Sequence, residues 1–227
     1  MPRSTVHLMQ YEIESLEWVA AKFGVDDEVI QGFGSSLNAL GVLYLAVAKD
    51  APEYREGRVV MLGLLNHAHH LLAGGLTALQ SGNGIVWSAC LRGLIEVYGA
   101  TVLIQEKPGK VVNHLSELSA GKLYAAAHRA KPGFKEDLER LHAVVHPGSR
   151  SMYVGIEPTD PNFREVRLEF GLRPVKKGDG KEAVIVLANM AGLLEQSLGT
   201  LADDPQVLGA GKVIMRTNGS SGGSPFR

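Results

Sequence analysis

The sequence predicts a mainly α-helical fold, a helical bundle with a long central helix hairpin and a small β-hairpin before the last long helix. Apolar residues recur at three- and four-residue steps over segments long enough for several helical turns. Breaks containing glycine or proline separate those segments, and strict apolar alternation is confined to residues 152–170.

From Thr5 to Phe23, the residues Val6, Met9, Ile13, Leu16, Ala20 and Phe23 form one apolar stripe, and Gly24 is placed to end that helix. Ser35 or Ser36 is expected to cap a second helix running to about Ala48, because a serine oxygen accepts a bond from an orphaned first-turn amide; Pro52 marks its stop. A long apolar helix is expected from about Arg58 to Gln80. Ser81-Gly82-Asn83-Gly84 breaks it, and another helix runs from about Ile85 to Glu106, so the tight break folds the two into an antiparallel hairpin. Ala89 and Gly93 on one arm, with Gly63, Gly74 and Gly75 on the other, are expected to let the two backbones approach. Such contact would offset the cost of about 1 kcal/mol that each glycine carries in a helix interior.

Pro108 opens a further helix, which Val111, Val112, Leu115, Leu118 and Leu123 carry to Ala130 before Pro132-Gly133 interrupts. A short helix follows from Phe134 to His146, stopped by Pro147-Gly148. Met152, Val154 and Ile156 alternate, as do Val166, Leu168 and Phe170, and the turn-rich segment between them predicts a β-hairpin. Asp179 and Glu182 form a D-x-x-E capping box expected to open the last helix, from about Lys181 to Leu201. Residues 1–202 read as one helical domain with its core in 58–201, and residues 203–227, ending NGSSGGSPFR, read as a mobile tail.

Composition narrows the function. A chain of 227 residues buries a sizeable core, and 23 Lys plus Arg against 24 Asp plus Glu leaves a net charge of -1, with no bulk drive toward nucleic acid or anionic lipid. Any such contact must be local. The single Cys90 excludes an intramolecular disulfide framework and a multi-cysteine zinc site and fits a reducing compartment. The acidic start of the chain argues against a signal peptide, so a cytoplasmic location is expected. Ile85 to Ile104 is long enough to span a bilayer, but Arg92 and Glu96 near its centre would each cost several kcal/mol in lipid, so no membrane is expected.

Those two charges are the first candidate site. Arg92 and Glu96 stand four apart, on one helix face and within ion-pair reach. Unpaired charges in so apolar a helix would be expensive, so a polar seam is expected, serving as a structural ion pair or as a site for an anionic group. The second candidate is ERLHAVVHPGSR, Glu139 to Arg150. Glu139, His142 and His146 fall within an arc of about 60° of a helix, beside the apolar Leu138, Leu141 and Val145. Arg140 points about 120° away from His146 and lies about 9 Å along the axis. The third is Asn66-His67-Ala68-His69-His70, in which His67 and His70 share a face and His69 turns away. Glu139-x-x-His142 is half of a carboxylate-bridged di-iron pattern whose second copy is absent, so no metal or other cofactor is assigned. Between Pro108 and Arg150, seven basic and four acidic residues leave a local excess of +3, which would suit phosphate contacts.

The R-x-x-x-E helix ACLRGLIE, the later HAVVHPGS containing Ser149, and the closing GDGKEAVIVLANMAGLLE resemble, in that order, an uncharacterised bacterial branch of the HEPN-like superfamily, over roughly residues 58–201. The resemblance implies metal-independent RNA cleavage or RNA binding, in stress response or phage defence, by a homodimer that brings two Arg-spacer-His motifs together. A cognate antitoxin or effector is also implied as a partner. On it, His146 would be the general acid/base, with His142 beside it, and Arg140, from either protomer, would stabilise the phosphorane charge, or Arg92 instead if the polar seam opens toward the histidines. Arg92, Glu96, Glu139 and Ser149 are the expected binding residues. Leu141 departs from the pattern, since active members often carry a polar residue after the arginine. Two other readings are a noncatalytic helical module that dimerises or binds a partner, and a metal-dependent hydrolase using the histidines.

Overall fold

A computed structural model describes residues 10–49, 54–108, 118–134, 156–158, 166–168 and 177–214. Among the described residues the chain forms α1 (Gln10–Phe23), α2 (Asp27–Ala48), β1 (Tyr54–Arg55), α3 (Glu56–Gln80), α4 (Gly84–Glu106), α5 (Ala120–Ala130), β2 (Ile156–Pro158), β3 (Val166–Leu168), α6 (Lys177–Ala202), α7 (Pro205–Leu208) and β4 (Val213–Ile214). The fold is mainly helical. Helix α4 packs between α3 and α5, α2 lies on α6 and α3, and α1 crosses onto α3 and α6.

The core sits where α3, α4 and α6 meet, and Leu72, Leu76, Leu94, Ile95, Ile104 and Leu187 are fully buried there. Each such side chain stabilises the fold by about 1.5–3 kcal/mol relative to exposure. The break between α3 and α4 forms as the sequence implies: Gly82 takes φ 70°, which L side chains rarely adopt, and the Asn83 side chain accepts from the Val86 amide at 3.1 Å. Gly24 likewise ends α1, with φ 65° and its amide bonded to the Ala20 carbonyl at 2.8 Å.

The glycines divide their work differently from the sequence expectation. Gly93 faces Leu71 and Gly74 faces the Cys90 sulfur, so these two bring the hairpin arms together. Gly75 instead admits Leu187 of α6, while Gly63 and Ala89 are exposed. Glycine spacing identifies a close approach but not the helix that makes it.

Three boundaries are corrected. Helix α2 begins at Asp27, eight residues before Ser35, because the Ser36 hydroxyl donates across to Glu195 at 2.7 Å instead of capping. Helix α6 begins at Lys177, which places Asp179 inside its first turn, where the carboxylate meets the positive end of the helix dipole. Residues 203–214 do not belong to the expected mobile tail. Asp204 caps α7 by accepting from the Gln206 amide at 2.8 Å, Val207 is buried, and β4 pairs antiparallel with β1, Tyr54 opposite Ile214. An alanine Cβ at Gly57 would overlap the Val207 carbonyl, so this closing segment sits directly on the start of α3.

Strands β2 and β3 pair antiparallel, Ile156 opposite Leu168 and Pro158 opposite Val166, so Glu157 and Pro158, expected in the turn, belong to the strand. Met152, Val154 and Phe170 of the alternating segments lie outside the described residues. The helix expected to run unbroken from Pro108 to Ala130 does not: Leu118 and Ser119 are non-helical, Ser119 is extended, and α5 begins only at Ala120. Residues 109–117, most of the expected helix 134–146 and the N-terminal turn before Gln10 lie outside the described residues.

Candidate functional site

Helix α4 presents Arg92 and Glu96 one turn apart on its face toward α5, and α5 returns Tyr124 to the same place. Arg92 Nε stands 3.3 Å from Glu96 Oε1 and also donates to the Tyr124 hydroxyl, which in turn donates to Glu96 Oε1. The guanidinium lies over the tyrosine ring as well, 5.5 Å from its centroid. Arg92 and Tyr124 make further interactions besides these. The side chains of Arg92 and Glu96 are 18% and 31% exposed, so the seam is half-buried and reaches the surface.

Gly99 creates this meeting. It sits two turns along α4, and its missing side chain lets the α5 backbone at Leu123 lie directly against the helix. The next residue is Tyr124. The expected ion pair is therefore present, but the sequence reading missed its third member. The signal was an aromatic hydroxyl on a small-residue helix, AGKLYAAAHRA, which packs close wherever its alanines face.

Burial disfavours the Arg92 charge, yet the hydrogen bond from Arg92 to Tyr124 and the nearby Glu96 carboxylate outweigh it and move the guanidinium pKa up. It is a fixed cation. Tyr124 is pushed up to about 12, first by burial and then by donating its proton to Glu96. The phenol is thus a proton donor at any physiological pH. Because its folded-state value lies above the ordinary value near 10, the stability it contributes is complete below pH 10 and is lost as pH rises through about 12. Spectrophotometric titration of wild type against Tyr124→Phe should show one phenol ionising about two units above the ordinary range. A difference between the two titrations centred near the ordinary value of 10 would contradict the seam.

Charges within the triad cancel, since Arg92 offsets Glu96. What the seam offers an anion is a guanidinium already oriented by fixed partners, so binding loses less side-chain entropy than it would with a free surface arginine.

The other candidates fare differently. His67 and His70 are exposed on α3, while His69 turns toward α1, its Nε2 3.2 Å from Oε1 of the buried Glu12. This matches their expected faces and gives His69 a structural partner. Among the described residues no three metal-ligating side chains gather. Glu139, Arg140, His142, His146 and Ser149 lie outside the described residues, so their positions relative to Arg92 are not part of the geometry. Four helices, α2, α3, α4 and α6, are long and apolar enough to cross a membrane by length and composition.

No family model, characterised protein or solved structure matches the chain.

Proposed function

We propose that this protein is a HEPN-like helical homodimer that binds RNA and cleaves it without a metal ion, with Arg92 contacting a phosphate and His146 and Arg140 carrying the chemistry. The observation that carries the reading is the Arg92–Glu96–Tyr124 seam: a permanently charged guanidinium, held rigidly at a half-buried site in an otherwise apolar helix pair. The sequence motifs around His146 support the catalytic half. In the reaction, the His146 imidazole takes the proton from a ribose 2'-hydroxyl, the oxygen attacks the adjacent phosphorus, and Arg140 stabilises the phosphorane charge as the bond from phosphorus to the 5'-oxygen breaks; that oxygen takes a proton from water and a 2',3'-cyclic phosphate remains. His142, Glu139 and Ser149, close to His146 and Arg140 in sequence, bind the backbone around the scissile bond. The setting is stress response or phage defence, with an antitoxin or effector as the regulating partner.

We place the protein in the cytoplasm, away from lipid. Support comes from the outer faces of the long helices: Asn66, His67, His70 and Thr77 on α3, and Glu182, Asn189, Gln196 and Thr200 on α6, are exposed. Such rows would be expensive in hydrocarbon.

A fluorescence titration of a short single-stranded RNA tests the reading. The protein should bind at low salt, with affinity falling as salt rises because phosphate contacts release counterions. Absence of binding at low salt would reject it.

A second reading, a noncatalytic helical module that dimerises, is favoured by the exposed apolar Val42, Tyr44 and Leu45 on α2.

A further inference from the structure

The outer face of α2 is unusual. Gln31, Ser35, Asn38, Val42, Leu45 and Lys49 recur at alternating four- and three-residue steps, the spacing of a helix-pairing seam, yet this stripe faces away from the core. Val42 and Leu45 are 40% and 46% exposed. Alongside it, Gly192 and Gly199 of α6 leave an open groove of about 750 Å³ between the two helices, bordered by Asn38 and Val42. The bond from Ser36 to Glu195 ties α2 to α6 beside it. In that groove the Asn38 side-chain oxygen is buried without a hydrogen-bond partner among the described residues.

We infer that a second copy of this chain covers this face, α2 lying antiparallel on α2 of the other copy with Asn38 on the two-fold axis. Three features of α2 are self-complementary in that register alone. Asn38 carries both a donor and an acceptor, and once the two side chains turn out of their grooves the amide N–H of each copy can donate to Oδ1 of the other across the two-fold axis. Bulk is asymmetric along the stripe, small or polar at Gln31, Gly34 and Ser35 and large at Val42 and Leu45, so reversal places each bulky half on the other copy's small half. Charge is asymmetric too. The acidic first turn, Asp27 and Glu28, meets Lys49 of the other copy at both ends of the pair, and all three are exposed. A parallel pairing would instead oppose like charges and leave Val42 against Val42. This inference rests on the homodimer reading and is independent of RNA.

The test uses the full chain. Light scattering should give twice the 24.3 kDa of one chain, and Val42→Arg should return the mass to that of one chain while the circular dichroism and melting curve of the fold are kept. Under mild oxidation Asn38→Cys should cross-link into a covalent pair. Val42→Cys should not, because its two copies would lie about 12 Å apart along the axis. The wild type, whose one thiol, Cys90, is buried, is the control. A wild type that stays a monomer at tens of micromolar overturns both the interface and the homodimer reading. A dimer in which Asn38→Cys fails to cross-link, or Val42→Cys cross-links equally, overturns the interface and leaves the homodimer reading standing.

Discussion

Gly99→Ala should lower stability by ~3 kcal/mol and dismantle the polar seam. A Cβ built at Gly99 would overlap the Leu123 carbonyl oxygen and come within 2.7 Å of its carbon and 3.1 Å of its Cα. These are backbone atoms of a helix, so no rotamer change relieves the overlap, and α5 must move away as a unit. Ala126 and Ala127, now fully buried, would then be exposed, and Tyr124 would leave Arg92 and Glu96. Urea unfolding measures the first effect and phenol titration the second, with the Tyr124 value falling back from about 12 toward the ordinary 10. Gly63→Ala is the internal control. That glycine is exposed, with nothing within 4 Å of the added carbon, so the change should stabilise α3 by about 0.5–1 kcal/mol. If the two substitutions behave alike, α5 does not pack on α4 as described.

His146→Ala should reduce RNA cleavage in EDTA by ~10²–10⁴-fold, the usual worth of a positioned proton-transfer group. An unperturbed imidazole titrates near pH 6.5, so it can both accept and return a proton near neutrality, which no other side chain of HAVVHPGS does apart from His142. The melting curve should be unchanged. Cleavage that survives the substitution would remove His146 from the mechanism. Wild type that binds RNA yet never cleaves it would mark the noncatalytic form that Leu141, next to Arg140, already suggests by its departure from the active pattern.

The helical class, the α3–α4 hairpin and the Arg92–Glu96 pair follow from sequence because each is a local property: a period of about 3.6, a Gly-containing break, and a four-residue spacing. Features that depend on another element do not follow in this way. Ser36 looks like a cap until Glu195, 159 positions away, claims its hydroxyl. Gly75 looks like a hairpin contact until Leu187 fills the space beside it. Tyr124 joins the seam only because α5 packs on Gly99, a tertiary event that no spacing within either helix encodes. Residues 203–214 look like tail by composition, yet Val207 is buried and Val213 pairs with Arg55, because a few apolar residues suffice when a preformed helix end receives them. The motif residues from Glu139 to Ser149 remain a reading of the sequence alone.

The central claim is that Arg92 holds an RNA phosphate, and one comparison bears on it most directly: the affinity of wild type and Arg92→Ala for the same short RNA over a range of salt concentrations. Loss of one fixed guanidinium contact should weaken binding ~10-fold, about 1.4 kcal/mol, and reduce the slope of log affinity against log salt by about 1. Equal affinities and equal slopes would show that the seam holds the helices together and does nothing for RNA.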